Sequence, residues 1–205
     1  MFYYCDVIIF KIHYHKFQTS DRKHKYSMTK KHSAIALLFF CCLLFSGCSS
    51  ETPEKYFSIA VLNTNALNGF ANQGMLRELE SPSVKLSETS SEPVPMKRSE
   101  AVNSKIQFAE TNLEKIKGLK ETEDTKDMLE ASQTLYEFII PVYNTEYMQL
   151  SELYDAGAPQ DRIQSLSASI HDKYSSRYEE LYNKLIDIGK KYAEKHNIKV
   201  NWGVN

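Results

Sequence analysis

The stretch Pro159–His196, PQDRIQSLSASIHDKYSSRYEELYNKLIDIGKKYAEKH, decides the fold. Ile163, Leu166, Ile170, Tyr174, Tyr178, Leu181, Leu185, Ile188 and Tyr192 recur at steps of three or four residues. That period gathers them on one stripe of a helix; a strand would alternate every second residue. Glu180–Lys184 and Asp187–Lys191 place an acid four residues before a base, each pair adding a few tenths of a kcal/mol. A helix over 159–196 is about 57 Å long at about 1.5 Å per residue.

Immediately upstream, Asp155-Ala156-Gly157-Ala158-Pro159 reads as a turn, with glycine past one helix end and proline at the first position of the next. Before it, 123–156 carries Leu129, Tyr136, Ile140, Tyr143, Tyr147, Leu150 and Tyr154 on one stripe, with Leu135, Ile139 and Val142 in a neighbouring row. Pro141 lacks a backbone donor and predicts a kink or a break. Thr122–Thr125 with Glu123, Asp124 and Asp127 suits a helix start. Residues 97–120 align Val102, Ile106, Ala109, Leu113 and Ile116, and the helix either stops at Gly118 or runs on to Lys120. A short turn between long helices forces antiparallel neighbours. The expected fold is therefore all-α: an elongated antiparallel three-helix bundle over 97–205, a long helical hairpin plus a shorter helix. Four helices is the alternative, if Pro141 breaks the second or residues 56–68 join. The tail from Asn197, with Val200, Trp202 and Val204, is expected to fold back on the bundle end.

Residues 48–96 read as a flexible tether. Ser81–Pro95 holds six Ser or Thr and three Pro in fifteen residues, too little apolar surface to offset the ordering entropy. An island at 56–67, with Phe57, Ile59, Val61 and Leu62, suits either a short strand or a short helix.

The chain of 205 residues has 42% apolar and 25% charged residues and a formal net charge of −1, which excludes a wholly disordered or polytopic membrane protein. The charge is unevenly spread. Residues 1–47 carry seven Lys or Arg, two Asp and four His; residues 48–205 carry eighteen basic against twenty-four acidic side chains, a net charge of −6. Cys5, Cys41, Cys42 and Cys48 are the only cysteines, so no disulfide framework holds the part beyond Cys48. Ala34–Phe45 is an uninterrupted apolar run of twelve residues, short of the ~20 that span a bilayer but suited to a signal-peptide core. Lys30, Lys31 and His32 precede it; Ser46 and Gly47 follow it.

The run ends in Leu44-Phe45-Ser46-Gly47-Cys48, which resembles the lipobox of bacterial lipoproteins. The resemblance implies a signal peptide over 28–47, cleavage between Gly47 and Cys48, and acylation of Cys48, with palmitate among the usual chains. The implied partner is membrane lipid through Cys48. The alternative is an ordinary signal cut by another peptidase. Residues 1–27 are expected to be an over-extended N-terminus ahead of a start at Met28, or else a long basic leader. Ser49 after the anchor resembles lipoproteins sorted to the outer rather than the inner membrane in cells that have two.

No glycine pattern cradles a phosphate, and no cofactor motif is present. His171 and His196 are the only histidines beyond Cys48, and neither follows a Glu by three residues, so the Glu-x-x-His metal unit is missing. His171, followed by Asp172 on an exposed-looking face, reads as a solvated side chain. The acidic balance argues against nucleic acid. Eight tyrosines crowd the last two helices: Tyr136, Tyr143, Tyr147, Tyr154, Tyr174, Tyr178, Tyr182 and Tyr192. They read as core rings whose hydroxyls reach water, or as an aromatic contact surface. Tyr182, off the main stripe, and Trp202 are the candidate partner contacts. The expectation is a non-enzymatic, lipid-anchored module that binds or scaffolds another envelope protein. The competing class is an envelope hydrolase.

Overall fold

The computed structural model describes residues 51–81, 83–87 and 89–202. Gly47, Cys48 and the rest of the signal region lie outside the described residues. The described part is mostly helical, with one two-stranded sheet. Its elements are α1 (Pro53–Ala60), a 3-10 helix (Leu62–Leu67), α2 (Gln73–Glu80), β1 (Val84–Leu86), β2 (Pro93–Pro95), α3 (Arg98–Gly118), α4 (Lys126–Val142), a π-helical turn (Tyr143–Tyr147), α5 (Met148–Asp155) and α6 (Gln160–Lys195).

The three long helical segments fall within three residues of their expected bounds. All five apolar positions of α3 are buried, as are Ile163, Ile170, Tyr178, Leu181, Leu185 and Tyr192 on α6. Side-chain pairs fix their directions. The Asp155 carboxylate accepts from the Arg98 and Ser99 N–H groups at 2.8 and 3.0 Å, while Lys117 pairs with Glu137 at 3.4 Å, so α3 runs antiparallel to α4–α5. Asp124 meets Lys195 and His196, and Phe138 meets Tyr174, so α6 runs antiparallel to α4. Between them, Gly157 takes φ +64° and the Ala158 N–H returns to the Leu153 carbonyl, closing the expected turn. Pro159 is the residue before α6 rather than its first turn. Gly118 ends α3 without entering the left-handed region, since Leu119 follows in extended conformation.

Pro141 neither breaks nor ends its helix. Pro141 cannot donate to the carbonyl one turn back, and the chain widens just beyond it into the π turn. The Asn144 amide and the Thr145 hydroxyl donate to the Ile140 and Pro141 carbonyls. The wider turn shifts the buried row. Leu135, Ile139 and Val142 face the core before it; Tyr143, Tyr147 and Leu150 do so after it.

The tether is the principal correction. Residues 53–80 are folded into the same core: Phe57, Leu67, Phe70, Met75 and Leu79 are each at most 2% exposed. Each such side chain contributes about 1.5–3 kcal/mol relative to exposure. A bundle beginning at 97 is therefore incomplete; the segment that the composition marks as linker supplies one flank of its core. Of 81–95, Val84–Leu86 pairs antiparallel with Pro93–Pro95, an exposed ribbon joined to α3 by Lys85–Glu100.

Bundle side chains hold this segment through its backbone. Asn112, 1% exposed, donates to the Ile59 carbonyl at 3.1 Å and Ser132 to that of Ala60 at 2.8 Å, satisfying the last turn of α1. The Tyr178 hydroxyl donates to the Leu67 carbonyl at 3.1 Å, and the Tyr56 hydroxyl to that of Lys120 at 2.6 Å. On α6, Gly189 is buried where α1 crosses: a Cβ there would meet both Val61 methyls at 3.0 Å. The tail folds back as expected as far as Trp202, with Ile198 and Val200 half-buried and Trp202 edge-on to Phe57 at 5.8 Å, while Val204 lies outside the described residues.

Candidate functional site

Gly69-Phe70-Ala71-Asn72 joins the 3-10 helix to α2 and builds one wall of a cleft. Gly69 takes φ +103°, and its Cα would lie 2.8 Å from a Cβ on Gly74, so the loop closes on two glycines. Phe70 enters a ring cluster with Tyr143, Tyr147 and Tyr178 at centroid distances of 5.4, 5.7 and 4.9 Å. This anchors Ala71 in the left-handed region at φ +49°, a conformation costing a non-glycine residue about 1 kcal/mol. Both its polar groups are clamped. The Ala71 N–H donates to the Tyr147 hydroxyl at 2.8 Å, and its carbonyl accepts from His171 Nδ1 at 2.8 Å. Asn72 then caps α2 by accepting from the Gly74 N–H at 2.7 Å.

The cleft encloses about 380 Å³ between this loop, α2, α5 and the first half of α6. Leu76, Leu150 and Ile163 supply apolar walls, and Gln160 and Gln164 line the α6 side. Glu80, Tyr154, Ser167, His171 and Asp172 bring the ionisable and hydroxyl groups. Because a carbonyl can only accept, His171 Nδ1 carries its proton toward Ala71, and in the neutral ring Nε2 is left as an acceptor. Ser167 is one helical turn from His171 on the same cleft, with no hydrogen bond joining them among the described residues. Burial raises the Tyr154 hydroxyl above its usual range, with the Glu80 charge adding to the effect and Arg98 opposing it.

His171 is solvent-exposed, as expected. It also holds the Ala71 loop, and His196 is half-buried, bonded to Asp124 and stacked on Tyr192 at 4.3 Å. Asp124 lies below the ordinary carboxylate range, chiefly through its hydrogen bond to Lys195. The tyrosines are mainly core: burial, the largest cause at each, pushes Tyr147 to about 12 against its Ala71 hydrogen bond and raises Tyr136, Tyr143 and Tyr178 further. The hydroxyls of Tyr147 and Tyr178 meet the backbone of 67–71 rather than water. Tyr182, expected to be exposed, is half-buried with its ring on Tyr178 at 5.7 Å. Trp202 is 37% exposed, with Lys190 over its ring. Neither lines the cleft. Ser167 and Glu80 were not legible as site residues. Ser167 stands beside the Leu166 stripe position as an ordinary helix serine, and Glu80 lay in the presumed tether.

Among the described residues no group of three or more His, Cys, Asp or Glu could hold a metal ion, and no helix is long and apolar enough to cross a membrane. The chain matches no family model, no curated protein and no solved structure.

Proposed function

We propose that this chain is a lipid-anchored cell-envelope protein whose helical domain is a non-enzymatic binding module for another protein. The observation that carries the reading is the cleft beside Ala71. Its polar lining is drawn from three separate helices, with Glu80, Asp172 and Ser167 free of side-chain hydrogen bonds among the described residues, while the loop that shapes it is clamped in a strained conformation. The three long helices act in this reading as an elongated antiparallel bundle that holds α2 and the loop in place. Acylation of Cys48 supplies the membrane partner. Only residues 49–52 then separate the anchor from α1, at most roughly 18 Å of extended chain. The module works at the bilayer surface, the outer membrane where a cell has two. Trp202, still exposed, extends the proposed contact surface; half-buried Tyr182 offers less.

Labelled fatty acid is expected to enter the wild type and not Cys48→Ala. A photocrosslinking residue at Gln164 is expected to capture one discrete protein in intact cells, whereas the same residue at exposed Lys184 captures none. Equal fatty-acid labelling, or equal capture at the two sites, overturns the reading. A hydrolase has one observation in its favour, the placing of Ser167 and His171 one turn apart in the cleft. Turnover of an activated ester lost in both Ser167→Ala and His171→Ala, with the fold retained, would establish it instead.

A further inference from the structure

We propose that the cleft recognises an alkylammonium group, either a free amine or the end of a lysine side chain on a partner protein. The inference rests on the binding reading only for the second source.

Two carboxylates face this space from different helices, Glu80 on α2 and Asp172 on α6. Among the described residues, neither makes a hydrogen bond or ion pair, and no Lys or Arg lines the cleft. Two neighbouring cations, Arg98 and Lys173, are committed elsewhere. Arg98 donates to the Leu79 carbonyl and pairs with Asp155, and Lys173, next to Asp172 in the chain, pairs with Glu146. An anion entering would meet two like charges, with only the Arg98 charge, felt at Tyr154 and shared with Asp155, against them.

A second observation is independent of this charge. Ser167 is only 9% exposed, lines the cleft, and its hydroxyl has no hydrogen-bond partner among the described residues. The side chain is nearly buried, yet its oxygen stays open to the cleft rather than sealed away, so a ligand donor or acceptor can reach it there. The remaining groups are rich in acceptors: both carboxylates accept only, the neutral His171 ring offers Nε2, and the Ser167 and Tyr154 oxygens each carry free lone pairs. An ammonium brings three donors and no acceptor, the complement of that set. Leu76, Leu150 and Ile163 offer apolar contact for its methylenes, and about 380 Å³ lies within the range of small-ligand sites.

The test is titration calorimetry on the full chain in mild detergent. The probes are 1,4-diaminobutane, Nα-acetyl-lysine amide and the uncharged 1,4-butanediol. At least one amine is expected to bind and the diol not. Glu80→Gln and Asp172→Asn are each expected to weaken amine binding at least tenfold, Ser167→Ala several-fold, and Glu179→Gln, outside the cleft, not at all. Unchanged melting curves for the glutamine and asparagine variants keep a folding defect from imitating the loss. Binding of the diamine alone identifies a free amine as the source; binding of the lysine amide alone identifies a partner's side chain. Both results, or both together, support the inference. It is overturned if neither amine binds, if the diol binds as well, or if the carboxylate variants bind like the wild type. Diamine binding that persists where Gln164 captures no protein would sustain this inference while removing the protein-partner reading.

Discussion

The helices of residues 98–195 carry their apolar side chains at three- and four-residue steps, whereas residues 53–80 carry theirs on short turns of changing period. The two regions end equally deep. Leu185 and Phe57 are both 0% exposed, and Tyr136 and Leu79 likewise. What differs is how backbone polar groups are satisfied. The long helices satisfy themselves along their length, while in the short region bundle side chains reach the carbonyls of Ile59, Ala60, Leu67 and Ala71: Asn112, Ser132, Tyr178 and His171, with the Phe70 N–H also on Leu67. Polar residues on an apolar stripe are thus docking points for a second layer, and the tyrosine excess is in part a set of hydroxyls aimed at that layer's backbone.

The sharpest way to break this comparison is to empty each region once. Phe70→Ala removes the ring shared by Tyr143, Tyr147 and Tyr178 and is expected to cost about 3–5 kcal/mol, as much as Leu185→Ala at about 2–5 kcal/mol. Denaturant unfolding of the full chain measures both. A Phe70→Ala loss below 1 kcal/mol would return residues 53–80 to the status of a tether. The crossing of α1 over α6 is the next point. Gly189→Ala drives a methyl against Val61 and is expected to destabilise by about 1–3 kcal/mol. Adding Val61→Ala should recover part of the loss; if the single variant is silent, α1 does not lie where Gly189 admits it.

A smaller effect separates capping from packing. Burial alone would raise the Asp155 carboxyl, but the Ser99 and Arg98 N–H groups outweigh it and hold it below the usual range. Its folded pKa lies under its unfolded one, so its contribution is complete above the ordinary carboxylate value and is lost as the pH falls through the lowered one. Asp155→Asn is expected to cost about 1 kcal/mol at neutral pH and to melt less differently from the wild type in acid. A constant difference across that window would leave the carboxylate charge without a role. The smallest effect runs the other way. The Tyr136 hydroxyl is buried without a hydrogen-bond partner, Asn112 lying beside it but outside bonding geometry. Tyr136→Phe is expected to be neutral or to stabilise by up to about 1 kcal/mol; a loss of that size would mean that the hydroxyl is paired.

The sequence by itself determined the three long helical segments, their buried faces and the turn at Gly157. In each case the apolar period and the glycine act within a few residues of chain, so local chemistry suffices, whereas the start of α3 is held by the distant Asp155. The lipobox resemblance is likewise a matter of adjacent residues. Residues 53–80 carried no comparable signal. Eight-residue helices are unstable alone, and this segment has carbonyl partners 53 and 111 positions away, Asn112 on α1 and Tyr178 on the 3-10 helix. The cleft was hidden for the same reason. Its walls come from residues near 71, 80, 154 and 170, and the pairing of His171 with a left-handed Ala71 exists only once the second layer has docked. Local spacing decided where helices form; only the packing of distant segments decided which polar side chains hold the chain and which are left facing the cleft.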